Sequence, residues 1–121
     1  MTKPIGLYLH IPFCNGKCPY CDFYSLTKPV ELQGVYVSAL IDEIKTGSRF
    51  KSIYDAKNKV FDTIYLGGGT PSVLSGEDIY NIITSLKENY KITENAEITV
   101  ECNPNSDIES LIPYFKKCGV N

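Results

Sequence analysis

Three times along this chain a strand pattern gives way to loop residues and then to a helical pattern, and this alternation restricts the fold more than any other feature. Ile5-Gly6-Leu7-Tyr8-Leu9-His10-Ile11 sets Leu7, Leu9 and Ile11 on one face and Tyr8 and His10 on the other. Leu32 to Thr46 brings Val35, Leu40, Ile41 and Ile44 near helical spacing, with Asp42 and Glu43 on the wet side. Val60 to Leu66 is β-branched and aromatic, and it runs into Gly67-Gly68-Gly69-Thr70-Pro71-Ser72. Ser75 with Asp78 forms a capping arrangement, and Ile79, Ile82, Ile83 and Leu86 make the apolar stripe of a second helix. A third strand is predicted over Ala96 to Glu101, and a third helix from Asp107 to about Lys117.

The order β-α-β-α-β-α predicts an α/β fold with parallel strands and crossover helices. Gly119 stands where a helix C-terminal glycine belongs, and Val120-Asn121 reads as the start of another strand. Three βα units make half or less of a barrel and would leave the last strand's outer edge unpaired. Residues 1–121 are therefore expected to be the N-terminal part of a domain that continues past Asn121.

The loop after the first strand carries Cys14, Cys18 and Cys21 in a C-x3-C-x2-C spacing. Three thiolates so placed suit an iron–sulfur cluster; a fully ligated four-iron cluster takes four cysteines, so three leave one iron open to a ligand. Other readings of these residues are weaker. Cys18-Pro19-Tyr20-Cys21 has the form of a dithiol oxidoreductase site, but that site runs straight into a helix. Here Asp22-Phe23-Tyr24-Ser25-Leu26-Thr27-Lys28-Pro29 follows, aromatic, β-branched and closed by proline. Structural zinc takes four ligands, yet there is no second C-x2-C or H-x3-H pair, and His10 is the only histidine. Five cysteines are an odd number, with no secretory signal before them, which argues against a disulfide framework.

The apolar share of 43% and charged share of 21% are those of a globular chain with one core. A net charge of −2 provides no basic face for a phosphate backbone, so no nucleic-acid partner is expected. The apolar run from Ile5 to Phe13 is too short to cross a bilayer and contains His10 and Pro12. Free thiols without a targeting segment favour the cytoplasm.

In barrels of βα units the chemistry gathers at the C-terminal ends of the strands. Those ends are Cys14, the turn Gly67-Gly68-Gly69-Thr70, and Glu101. Strand parity places Ile98, Val100 and Cys102 on one face and Thr99 and Glu101 on the other, the latter pointing to the same interior as Tyr8 and His10. Cys102 and Cys118 are expected to be buried packing residues. The glycine run lets a ligand approach the backbone, although neither the G-K-[ST] nor the G-x-G-x-x-G phosphate pattern is present. A plain tight turn explains it equally well. A carboxylate at Glu101 inside such a rim calls for a cationic partner.

These motifs together resemble the radical S-adenosylmethionine (SAM) enzymes, in which C-x3-C-x-aromatic-C holds a 4Fe-4S cluster and the open iron chelates the amino and carboxylate groups of SAM. Tyr20 fills the aromatic slot. Tyr8-Leu9-His10-Ile11-Pro12-Phe13-Cys14, Gly67-Gly68-Gly69-Thr70-Pro71-Ser72 and Glu101-Cys102-Asn103-Pro104 are similar to the oxygen-independent coproporphyrinogen III oxidase group, over about Gly6 to Asn121. Members that oxidise coproporphyrinogen carry a further cysteine two positions after the third ligand. Phe23 stands there, as in the branch regarded as HemW heme chaperones. The resemblance implies the N-terminal half of a partial TIM-like (β/α) barrel. Cys14, Cys18 and Cys21 would be cluster ligands, and Tyr8, Tyr20, Gly68, Gly69, Thr70 and Glu101 would contact SAM, with no catalytic residue assigned. It further implies heme as cargo passed to an acceptor protein, an electron donor such as a flavodoxin or ferredoxin, and reductive cleavage of SAM in the full-length protein. The alternatives are coproporphyrinogen III oxidation and, from another class, dithiol exchange at Cys18 and Cys21.

Overall fold

β1 (Ile5–Ile11) and its two successors form a three-stranded sheet in which every strand is parallel to its neighbour and the spatial order is the chain order. In the computed structural model residues 3–14, 30–47, 58–104 and 106–121 are described. The elements after β1 are α1 (Val30–Thr46), β2 (Val60–Gly68), α2 (Gly76–Asn89), β3 (Lys91–Val100) and α3 (Ile108–Cys118), which is the alternation the sequence predicts. Cys18, Tyr20, Cys21 and Phe23 lie outside the described residues.

Register fixes which side chains share a row. Tyr8 pairs with Tyr65, which pairs with Thr99; Leu9 pairs with Leu66, which pairs with Val100; and His10 pairs with Gly67. Successive side chains in a strand point to opposite faces. Leu9, Ile11, Ile64, Leu66 and Ile98 accordingly enter one core with Ile79, Ile82, Ile83 and Leu86 of α2, flanked by Val37 and Ile44 of α1 and Leu111 and Cys118 of α3. Burying an aliphatic side chain of this size stabilises by about 1.5–3 kcal/mol, so this helix-covered face carries most of the packing energy. Tyr8, on the opposite face, is 60% exposed.

The helix ends follow the sequence signals. Ser75 is the N-cap of α2, its side chain accepting from the Asp78 amide at 3.1 Å. Asp107 caps α3 instead of opening it, accepting from the Ser110 amide. Gly119 follows α3 in the left-handed region, φ 86°, and Lys87 Nζ donates to the last-turn carbonyl of Cys118 at 2.7 Å. Beyond it the Asn121 amide donates to the Ile98 carbonyl at 3.1 Å. The Asn121 side chain accepts from the Ile98 amide and donates to the Ala96 carbonyl, so this one residue caps part of the outer edge of β3.

Several boundaries differ from the sequence reading. α1 begins at Val30 and β2 extends through Gly68. β3 begins at Lys91, ahead of the predicted Ala96, and ends at Val100. Its first half, Lys91-Ile92-Thr93-Glu94-Asn95, lacks an apolar alternation because its pairing with β2 is interrupted: Phe61 pairs with Ile92, and the next pair is Thr63 with Glu97.

Candidate functional site

The three strand ends converge through backbone contacts, and at the β2 turn the approach requires glycine. The Gly69 amide donates to the Ile11 carbonyl at 2.8 Å and the Thr70 amide to the Phe13 carbonyl at 2.6 Å, tying the β2 turn to the loop that begins at Cys14. A Cβ at Gly69 would run into the backbone of Phe13, and one at Gly68, whose φ is 115°, would stand 2.8 Å from the Ile11 carbonyl. From the other side the Glu101 amide donates to the Leu66 carbonyl at 3.0 Å, extending the pairing of β3 with β2 by one residue. Tyr36 of α1 donates to the His10 carbonyl, and its ring meets Phe13 edge-on at 5.4 Å, so α1 braces the same loop from behind. Cys14 is half-buried at this junction.

On the open face the side chains form a continuous array across all three strands. The Tyr8 hydroxyl and His10 Nδ1 are hydrogen-bonded at 2.9 Å, and the Tyr8 ring stacks on Tyr65 with centroids 6.0 Å apart and planes 23° from parallel. The Tyr65 hydroxyl donates to Glu101 Oε1 at 2.6 Å. Gly67 makes the room: a Cβ there would lie 2.8 Å from Tyr65 Cε1, 3.2 Å from Tyr8 Cε2 and 3.3 Å from the Glu101 carboxyl carbon. The Tyr65 phenol is raised above its ordinary 10.0, chiefly because it donates to Glu101, so it remains a donor at any physiological pH. Above Glu101 an open cleft of about 420 Å³ is lined by Gly69, Thr70, Glu101, Cys102, Asn103 and Pro104.

Of the residues singled out from sequence, Tyr8 and Glu101 lie on this face, while Cys14, Gly68, Gly69 and Thr70 lie at its rim. Cys18, Tyr20 and Cys21 fall outside the described residues, among which no group of three or more His, Cys, Asp or Glu side chains could hold a metal ion. The partner of Glu101 is a neutral phenol, where a cation was expected. Tyr65 was missed, although period-two counting from Ile64 and Leu66 places it on the face of Tyr8 and Glu101.

Cys102 is exposed and not a packing residue. Parity set it among the packing residues, but the strand has ended by then, and the residue is exposed in the cleft with Sγ 3.6 Å from the Val100 carbonyl. Its loop is pinned by buried Ser72, whose hydroxyl bonds Ser106 at 2.6 Å and accepts from the Asn103 amide at 3.0 Å. Cys118 is buried as expected.

The sequence profile of the radical SAM superfamily matches residues 8–121, nearly the whole chain. The chain belongs to the radical SAM superfamily. Among curated relatives, the heme chaperone HemW of Buchnera aphidicola (Acyrthosiphon pisum) is 37% identical over 120 residues, 98% of this chain and 30% of its own. The heme chaperone HemW of Escherichia coli K12 is 34% identical over 119 residues, again 98% of this chain and 30% of its own. An anaerobilin synthase of Escherichia coli O157:H7 is 39% identical over 95 residues, 78% of this chain and 21% of its own. Among solved structures, the radical SAM coproporphyrinogen III oxidase HemN of Escherichia coli superimposes with a TM-score of 0.80 at 24% identity, over 98% of this chain and 26% of that one. The fold is thus that of the N-terminal part of a HemN-like, TIM-like radical SAM barrel. The chain spans about a third of the length of the HemW relatives it matches. No described helix is long and apolar enough to cross a membrane.

Proposed function

We propose that this chain is the N-terminal part of the radical SAM domain of a HemW-type heme chaperone. In this reading Cys14, Cys18 and Cys21 hold a 4Fe-4S cluster, and Tyr8, Tyr20, Gly68, Gly69, Thr70 and Glu101 contact SAM. The observation that carries it is the convergence of three strand ends on one rim, with Cys14, the glycine turn and Glu101 tied together by the bonds from Gly69, Thr70 and Glu101 to Ile11, Phe13 and Leu66. The donor set fits the group: three thiolates complete a cluster with one open iron. A side-chain-free stretch of backbone and a carboxylate acceptor beside it suit an amino acid ligand.

The chemistry such a cluster supplies when bound is one-electron reduction of the SAM sulfonium, with the electron drawn from a flavodoxin or ferredoxin. The protein's own part is positional. Glu101 would accept a hydrogen bond from the ligand, Tyr8 would contact it, and the turn closed by Gly69 and Thr70 holds the glycine backbone against the loop that begins at Cys14. Heme would be the cargo, transferred to an acceptor protein. Phe23, at the position of the oxidases' additional cysteine, and the HemW relatives at 34% and 37% identity favour the chaperone. Coproporphyrinogen III oxidation is the second reading, favoured by the fold shared with HemN.

Anaerobic reconstitution of the full-length protein should give about four irons per chain. Changing Cys14, Cys18 or Cys21 to Ala should abolish the cluster, while Cys102→Ala and Cys118→Ala should retain it. Hemin titration followed at the Soret band should saturate, and coproporphyrinogen III should be left unconverted. Conversion of coproporphyrinogen would overturn the chaperone reading in favour of the oxidase.

A further inference from the structure

Glu101 stands just past the end of β3, exposed, on a flexible side chain whose carboxylate could sweep a wide arc. Three observations favour one orientation. Tyr65 on the neighbouring strand donates to Oε1 at 2.6 Å, a short charge-assisted bond that engages one carboxylate oxygen of a residue lining the open cleft. The Tyr65 ring is itself held against Tyr8, whose hydroxyl is bonded to His10, so the donor is anchored to β1. Gly67, which pairs with His10 and carries no Cβ to meet either group, leaves the space the phenol and the carboxylate share.

We infer that Tyr65 is a positioning residue for the cofactor site, orienting the Glu101 carboxylate toward the ligand through a hydrogen bond of its own hydroxyl. The inference rests on the assignment of Glu101 to SAM in the function proposed above and adds a residue that assignment did not contain. A phenol suits the role better than a cation would. Arg or Lys would neutralise the carboxylate and compete for its second oxygen, whereas Tyr65 satisfies one lone pair and leaves the negative charge for a cationic ligand.

A double-mutant cycle on the full-length, cluster-loaded protein tests this, read by equilibrium binding of SAM with iron content and melting temperature recorded for each variant. Tyr65→Phe keeps the ring stack and removes only the hydroxyl. It should weaken SAM binding about tenfold with iron content unchanged, and it should have no further effect in a Glu101→Ala background. Equal weakening by Tyr65→Phe in both backgrounds would overturn the inference, because the hydroxyl would then act by another route. Wild-type affinity in Tyr65→Phe, with Glu101→Ala impaired, would overturn it while leaving the proposed function standing. Failure of the wild-type, cluster-loaded protein to bind SAM would instead overturn the proposed function, and this inference with it.

Discussion

Gly67, Gly68 and Gly69 look interchangeable in the sequence, yet each solves a different steric problem: room for two tyrosine rings and a carboxylate, a left-handed backbone beneath His10, and backbone contact with Phe13. Gly69→Ala should therefore be the most disruptive of the three. Its methyl group meets main chain that cannot rotate away, and both amide bonds to the cysteine loop would open. We expect a loss of about 1–3 kcal/mol in urea denaturation and impaired cluster assembly in the full-length protein. Gly67→Ala should instead preserve iron binding and mimic Tyr65→Phe in SAM affinity, since what it displaces is side chain. The buried Cys118 thiol allows a pH test. Burial raises it above its ordinary 9.0 despite opposing hydrogen bonds and Lys87. The stability this contributes is whole below that ordinary value and is lost as pH climbs through the raised one. Cys118→Ala should accordingly show a smaller fall in unfolding free energy between about pH 8 and about pH 10 than the unmodified protein.

Among the elements, α2 is the central one. It packs between α1 and α3 and turns Ile79, Ile82, Ile83 and Leu86 onto the sheet, so its ends transmit directly to the core. Ser75→Ala removes the acceptor for the Asp78 amide and should cost about 1 kcal/mol, measurable by chemical denaturation of the full-length protein. Gly76 must remain small for a related reason: a Cβ there would strike the Tyr114 ring of α3. β1 is the element with least cover. Its outer edge has no partner strand among the described residues, and its Tyr8 and Ile5 side chains are exposed.

For the molecule as a whole, an edge strand and an aromatic face without cover among the described residues carry a consequence. The isolated 121-residue chain is expected to self-associate as its concentration rises, which sedimentation velocity would detect. A concentration-independent monomer with a single cooperative melt would show that these three βα units need no further cover. The chain corresponds to 30% of the length of its HemW relatives, so binding and transfer of heme are to be measured on the full-length protein.

The order of elements, their parallel arrangement, the helix caps at Ser75 and Gly119 and the face shared by Tyr8 and Glu101 were all legible in the sequence, because each follows from local periodicity or from a residue's own backbone preference. So was the cysteine spacing, whose chemistry depends on residue type and not on distant contacts. The partnership of Tyr65 with Glu101, the separate duties of the three glycines, the early start of β3 and the exposure of Cys102 were decided by tertiary structure. Each depends on the register between strands or on where pairing stops. Register is settled by the packing of whole elements, so no single strand's pattern could disclose which residue of one strand would meet which residue of the next.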